Sequence, residues 1–244
     1  MLRMRRERRL QLVHLVIGRS ASSDLVALYV FSIILISMTA FLNHTVEGND
    51  HSSAIQSGDV VVDEKQIWTG NKEINGSLIV ENDLILRDCE LIISGEGIRI
   101  HENGSLVVEG SSISSPGGES RFFVESFGSL ELDGSVVTNC LDMSNNIFGI
   151  YLLGGSFRSN DTLFEDSGII QSRVEMVNIE KTVMAGIISM GGNMIIRESK
   201  IDGLGVSMLG GGGLEINDSQ FQSELQFSES VSAIYSDGGG IVLN

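Results

Sequence analysis

The chain has 244 residues, among them 29 Gly and a single Pro, and its formal net charge is −16 at pH 7. The charge is unevenly divided, because residues 1–42 carry +4 and the remainder carries −20. The length fits one medium-sized domain with an appendage. Because residues 43–244 are so acidic, they repel the phosphate backbone of nucleic acid, and nucleic acid is excluded as their partner.

The N-terminal part predicts a membrane anchor. Residues 25–42 are uncharged and mostly apolar, and as a helix they would span about 27 Å, enough for a bilayer core. A cluster of Arg precedes them and predicts that the N-terminus lies inside. A cleavable signal peptide is the alternative, although its apolar region is normally shorter. We expect a basic cytoplasmic N-terminus over 1–24, a single transmembrane signal-anchor over 25–42, a polar stalk over 43–58 and an extracytoplasmic domain over 59–244.

An eight-residue pattern recurs through that domain. It reads apolar, any, apolar, any, polar or Gly, small, any, apolar, and successive copies start 17 to 27 residues apart. The copies are Leu84–Leu91, Leu106–Ile113, Leu130–Val137, Phe157–Phe164, Val177–Met184, Met194–Ile201 and Leu214–Phe221, with an eighth beginning at Ile241. A unit repeated at this interval is typical of a solenoid.

A shorter apolar segment follows each of the seven copies, and a Gly-containing corner comes after most of these segments. The segments are Gly97–Ile100, Phe122–Val124, Gly149–Leu152, Gly168–Gln171, Gly186–Ser189, Gly205–Met208 and Ala233–Ser236. Apolar residues recur at a spacing of two rather than 3.6, which indicates strands and not helices. The sequence therefore predicts an all-β fold, a parallel β-helix of about seven rungs whose apolar columns form the core.

The ends of this solenoid need cover, since open ends expose strand edges. We expect Val60–Val62 and Ile67–Trp68 to cap the first rung, which is formed by Ile74, Leu78 and Val80. The chain ends within a repeat at Ile241–Asn244. Either a partner or a second copy covers that end by end-to-end association, or the chain is truncated.

The small position of the repeat predicts a structural ladder at one bend. Seven equivalent residues occupy it: Cys89, Ser111, Ser135, Thr162, Thr182, Ser199 and Ser219. Hydroxyl groups there can hydrogen-bond the turn backbone, whereas catalysis needs one activated nucleophile with a base. Cys140 lies two rungs beyond Cys89, about 10 Å along the axis, which is too far for a disulfide. We expect two free thiols.

The copies resemble the repeats of right-handed parallel β-helix proteins of the pectin-lyase-like type, over roughly residues 70–244. This resemblance implies a right-handed solenoid. It implies no single activity, because the fold carries lyases, hydrolases, adhesins and inert spacers. The lyases of this group use Ca²⁺-binding carboxylates with a basic residue, and the hydrolases use clustered Asp with nearby His and basic residues. Here His101 is the single His within the repeats.

Three surface features are candidate sites. Glu109 and Asp133 are neighbouring like charges that Ca²⁺ could bridge, and we expect ion pairs between Glu131 and Arg158 and between Glu180 and Arg197. One outward column of the second strand predicts an apolar contact stripe for a partner or a glycan: Phe123, Tyr151, Ile170 and Ile188. The alternative is that the loop over 138–148 folds over this stripe.

The third feature is a variable loop, present over 114–121, 138–148 and 222–232. Loops on a rigid scaffold often carry function, and these contain Glu119, Arg121, Asp142, Asn145, Asn146, Glu224 and Glu229. Five Asn-x-Ser/Thr sequons are candidate N-glycosylation sites in an exported chain: Asn43, Asn75, Asn103, Asn160 and Asn217. Turn chemistry explains Asn75 and Asn103 equally well.

These features favour a non-enzymatic cell-surface protein that serves as a scaffold, an adhesin or an envelope- or glycan-interaction module. Its expected partners are the membrane and a surface polysaccharide or envelope protein. The alternative is a carbohydrate-active enzyme, of lyase or hydrolase type, that acts through the loops. No catalytic residue and no cofactor other than Ca²⁺ is predicted.

Overall fold

The computed structural model describes residues 54–117, 120–222, 234–236 and 240–244. Regular structure in these residues consists of β-strands alone. The strands are β1 Ala54–Ser57, β2 Val60–Val62, β3 Gln66–Asn75, β4 Leu78–Val80, β5 Asp83–Ile93, β6 Gly97–Ile100, β7 Ser105–Glu109, β8 Ser112–Ser114, β9 Phe123–Ser126, β10 Ser129–Asp133, β11 Val136–Thr138, β12 Phe148–Leu152, β13 Ser156–Asn160, β14 Leu163–Glu165, β15 Ile169–Ser172, β16 Met176–Glu180, β17 Val183–Ser189, β18 Asn193–Arg197, β19 Lys200–Met208, β20 Gly213–Asn217, β21 Gln220–Gln222, β22 Ile234–Ser236 and β23 Gly240–Leu243.

All pairings between these strands are parallel, and each joins a strand to its equivalent one turn away. Face A follows the start of β5 through β7, β10, β13, β16, β18, β20 and β23. Face B follows β8, β11 and β14. Face C follows β4, β6, β9, β12 and β15. The predicted parallel β-helix is confirmed, with about eight turns rather than seven.

The additional turn lies at the N-terminal end. Val60–Val62 pairs with Leu78–Val80 on face C, and Gln66–Trp68 pairs with Leu84–Leu86 on face A. These segments are therefore layers of the solenoid rather than a separate cap. The reason is that their side chains alternate in direction along the strand. Val62 is therefore buried in the core, and Trp68 packs against the core.

The interior is built from columns of apolar side chains, as the repeat predicts. One column on face A is fully buried and contains Leu84, Leu106, Leu130, Phe157, Val177, Met194 and Leu214. Burial of each such side chain contributes about 1.5–3 kcal/mol. Because no turn can bury its own apolar residues, the stability of each turn depends on its neighbours.

The three corners differ in how tightly the turns pack. At the CA corner, between faces C and A, a Cβ on Gly128 would lie 2.1 Å from the carbonyl oxygen of Gly104 and 2.3 Å from that of His101. The BC corner, between faces B and C, varies in length from turn to turn. It is long over 115–122 and 139–147, while β17 and β19 continue through both faces with no loop between them.

No helix among the described residues is long and apolar enough to cross a membrane. The predicted anchor over 25–42 and most of the predicted stalk lie outside the described residues. The predicted stalk ends at residue 58, whereas β1 already pairs with residues 72–75 of β3.

Candidate functional site

The seven residues of the predicted ladder stack at the AB corner, between faces A and B. The residue before each of them has a positive φ of 47° to 56°: Asp88, Gly110, Gly134, Asp161, Lys181, Glu198 and Asp218. Each of the six hydroxyl groups donates to the carbonyl two residues upstream over 2.7–2.9 Å. Each hydroxyl group therefore donates its proton to the backbone of the bend, which explains why a small polar residue recurs there.

Several hydroxyl groups also join one turn to the next. Ser111 Oγ accepts the backbone N–H of Cys89 over 2.9 Å, and Ser199 Oγ accepts that of Thr182 over 3.1 Å. Ser219 Oγ accepts the N–H of Ser199 in the same way. Each such hydroxyl satisfies a buried backbone donor that the tight corner would otherwise leave unpaired.

A second bend of the same kind lies at the BC corner and was missed at the level of sequence. Asn139 and Asp166 both have positive φ, and Cys140 and Ser167 follow them. Ser167 Oγ donates to Glu165 O over 2.9 Å and accepts the N–H of Cys140 over 3.2 Å. The available signal was the repeated pair of Asn or Asp followed by Cys or Ser.

Both cysteines are free and buried, as expected. At the AB corner, Cys89 occupies the position that Ser or Thr occupies in the later turns. At the BC corner, Cys140 occupies the position that Ser167 occupies in the next turn. Burial raises the pKa of Cys89 to about 11. Burial also raises the pKa of Cys140 well above its usual range, and its thiol donates to Gly149 O over 3.1 Å. Raised pKa values mark these thiols as unreactive packing groups.

The outward side chains of face A pair across turns. Glu131 binds Arg158 over 3.2 Å, as predicted. Glu180 lies directly opposite Arg197, but Arg197 bonds to Glu215 and Glu180 to Lys181 instead. Such exposed pairs contribute at most about 1 kcal/mol each.

The calcium candidates Glu109 and Asp133 lie opposite one another in adjacent turns. Each carboxylate already has a partner. Arg87 donates to Glu109 over 2.8 Å, and the amide of Asn160 donates to Asp133 over 2.6 Å. Within the described ranges no group of three or more His, Cys, Asp or Glu is arranged to hold a metal ion.

The aromatic side chains on face C form a cluster that we call the aromatic platform, consisting of Phe123, Phe148 and Tyr151. The Tyr151 ring meets the Phe123 ring edge-on at 6.5 Å between centroids, and the Phe148 ring at 5.7 Å. All three rings are partly exposed. Aromatic groups presented on a rigid strand face are typical of contact surfaces.

Two members of the predicted stripe lie outside the predicted column. Phe123 faces outward but lies opposite Gly97, so Glu125 and not Phe123 lies opposite Tyr151. Ile170 pairs with Ile150 and is buried in the core, so Gln171 lies next to Tyr151 instead. A register shift between Phe148 and Ile150 causes this, because a shift of one residue turns a side chain to the opposite face. Ile188 does face outward and is half-buried, next to Gln171.

The loop over 139–147 is fastened to this platform. The Tyr151 hydroxyl donates to Asp142 Oδ2 over 2.6 Å, and Asn145 Nδ2 donates to the Tyr151 hydroxyl over 3.4 Å. Hydrogen bonds from Ser144 and Tyr151 lower the pKa of Asp142. The pKa of Tyr151 is raised, first by burial and then by the Asp142 carboxylate. The loop covers one edge of the platform and leaves Met143 and Ile147 56% and 44% exposed.

The other loop candidates have different placements. The guanidinium of Arg121 donates to the side chain of Asn139 and to Asp166 O, so it ties three successive turns together. Asn146 has a positive φ at the loop's tip. Glu119, Glu224 and Glu229 lie outside the described residues.

The sequons also separate into two kinds. Asn75 and Asn103 are exposed at corners. Asn160 and Asn217 are outward strand residues whose amides donate to Asp133 and Glu215. Asn43 lies outside the described residues.

Comparison of the chain with protein-family models, with curated proteins and with solved structures finds no match. Any function assigned to this chain therefore rests on its fold and on the geometry of its surface.

Proposed function

We propose that the chain is a membrane-anchored cell-surface protein whose β-solenoid stands outside the membrane and contacts a glycan through the aromatic platform. In this proposal residues 25–42 span the membrane, with the N-terminus inside. The solenoid is right-handed and of the pectin-lyase-like type, and it serves as a scaffold and adhesion module rather than as an enzyme.

The observation that carries the proposal is the composition of the platform and its surroundings. Phe123 and Tyr151 present rings from adjacent turns, on strands that each pair with a neighbouring strand on both sides. The outward column through Tyr151 also contains Arg99, Glu125 and Gln171. Rings on which a sugar can stack, beside groups that can donate and accept hydrogen bonds, are the usual components of a small polar-ligand site.

The scaffold role is supported by how the turns are joined. The hydroxyl groups of the AB corner and the ion pairs of face A connect neighbouring turns. A surface built this way holds its outward side chains at fixed spacings of about 4.8 Å, the distance between neighbouring strands.

The test is binding of the full chain, in mild detergent, to a panel of neutral and acidic polysaccharides. Phe123→Ala removes one ring without touching the Asp142–Tyr151 hydrogen bond, and we expect it to weaken binding at least about tenfold. Ile67→Ala, an exposed apolar residue on face A, is the matched control and should bind as the parent does. Failure to bind any polysaccharide, or equal binding by Phe123→Ala, would contradict the proposal. Release of sugar products would support the enzyme alternative instead.

A further inference from the structure

We propose that Asn103 is an acceptor for an N-linked glycan, and that the first sugar packs against the exposed ring of Phe127. This inference rests on the proposed placement outside the membrane, because the sugar-transferring machinery of exported proteins acts there. The acceptor chemistry itself depends only on the folded chain, and the two parts can be tested separately.

The local structure presents Asn103 as an acceptor. It lies in a four-residue turn at the CA corner that is closed by a hydrogen bond from Gly104 N to His101 O of 2.8 Å. Its side chain is exposed, and no hydrogen bond engages its amide among the described residues. The hydroxyl-bearing residue of the sequon, Ser105, is half-exposed at the start of β7.

The other described sequons are less suited, because a transferase must reach both the amide and the hydroxyl group. Asn75 is exposed, but Ser77 is 5% exposed. The amide of Asn160 is bonded to Asp133, and Thr162 is buried in the AB ladder. The amide of Asn217 is bonded to Glu215, and Ser219 donates its proton to Asn217 O.

The surface beside Asn103 provides a place for a sugar. An open hollow of about 570 Å³ is lined by Glu81, His101, Glu102, Asn103 and Phe127. Phe127 comes from the next turn and is 40% exposed. An aromatic ring with carboxylates and an imidazole around it suits an amphipathic sugar, whose C–H face can lie on the ring while its hydroxyl groups meet the polar rim.

The transfer step needs an activated sugar phosphate, either nucleotide-linked or lipid-linked. A bond forms between the anomeric carbon of the sugar and Asn103 Nδ2, and the bond from that carbon to the phosphate oxygen breaks. The phosphate leaves with the electron pair, and the amide nitrogen loses one proton to the transferase. No oxidation or reduction is involved.

The first experiment incubates the folded full chain, in mild detergent, with a soluble Asn-specific glycosyltransferase and UDP-glucose, and maps hexose by peptide mass spectrometry. We expect Asn103 to be modified at least about tenfold faster than Asn160 or Asn217, since those two need local opening first. A heat-denatured sample should be modified at all of these sites, and Ser105→Ala should abolish modification at Asn103. Equal rates at Asn103 and Asn160 in the folded chain would overturn the proposal, whatever the chain's placement in the cell.

The second experiment tests packing on Phe127 by thermal unfolding of the modified and unmodified chains. The attached sugar should raise the Tm by about 2 °C, a shift resolvable for a domain of this size. In Phe127→Ala the same modification should leave the Tm unchanged. An equal rise in both chains would show that the sugar does not use the ring.

Discussion

At the scale of single residues, the hydroxyl groups of the AB corner are predicted to stabilise the backbone. Ser111 Oγ donates to Glu109 O over 2.7 Å and accepts from Cys89 N over 2.9 Å. Ser111→Ala leaves the buried N–H of Cys89 and the partly buried carbonyl of Glu109 without that partner, so we expect a loss of about 1–3 kcal/mol in the free energy of unfolding. Ser112→Ala, at the neighbouring outward position, should change it by less than about 0.5 kcal/mol. Equal losses in chemical denaturation would contradict the role given to the ladder.

The two cysteines give a residue-scale prediction with a pH dependence. Their folded-state pKa values are raised, to about 11 for Cys89, so their contribution to stability is complete below the unfolded pKa of about 8.5 and is lost as pH rises towards 11. Cys89→Ser combined with Cys140→Ser places at each bend the hydroxyl found in later turns. We expect the double variant to match the parent at pH 7 and to lose less stability between pH 8 and pH 10. A parallel decline of both proteins would contradict this interpretation.

At the scale of elements, the CA corner sets how closely successive turns approach. Gly128→Ala would place a Cβ 2.1 Å from Gly104 O, a contact that only a backbone shift can relieve. We expect a loss of about 3 kcal/mol or more in the free energy of unfolding. Gly117→Ala is the matched control, because nothing lies within 4 Å of its Cβ position. A Tm for Gly128→Ala equal to that of the control would show that the corner is looser than described.

The loop over 139–147 depends on a titratable contact. The folded-state pKa of Asp142 is lowered, so the stabilisation it gives is present above the unfolded pKa of about 3.9 and is lost as pH falls below that value. Asp142→Asn should free the loop at neutral pH at a cost below about 1 kcal/mol, since the carboxylate is close to solvent. Limited proteolysis within 141–147 at pH 7 should therefore be faster in the variant, and acidification should increase cleavage of the parent alone.

The sequence predicted elements well where the physics is local and repetitive. Period-two alternation and the bend residue fix the strands and the AB corner, so β5 to β20 lie where the pattern places them. The prediction failed where the direction of a side chain depends on the register between paired strands. Ile170 was assigned outward because Gly149–Leu152 and Gly168–Gln171 look alike, yet the irregularity at Phe148 shifts their alignment by one residue. The bond between Asp142 and Tyr151 depends on how the loop returns to face C, which no local pattern encodes.

At the scale of the whole molecule, the described domain is a stack whose turns support one another. The buried apolar core extends from Val62 to Ile216, with buried serines at single positions such as Ser159 between Leu132 and Ile179, and each turn contacts its neighbours on three faces. A solenoid of this kind distributes stability along its length, which suits a scaffold that presents the platform and Asn103 on different parts of its surface. The acidic exterior keeps such a surface solvated.

The most direct test of the proposed function is whether this domain faces the outside of intact cells that produce the full chain. All four lysines lie within the solenoid, at positions 65, 72, 181 and 200, and the Lys65 side chain is 65% exposed. A membrane-impermeant amine reagent applied to intact cells should therefore label Lys65, as read by peptide mass spectrometry, without permeabilisation. Labelling that occurs only after the cells are opened would place the domain on the inner side and contradict the proposal.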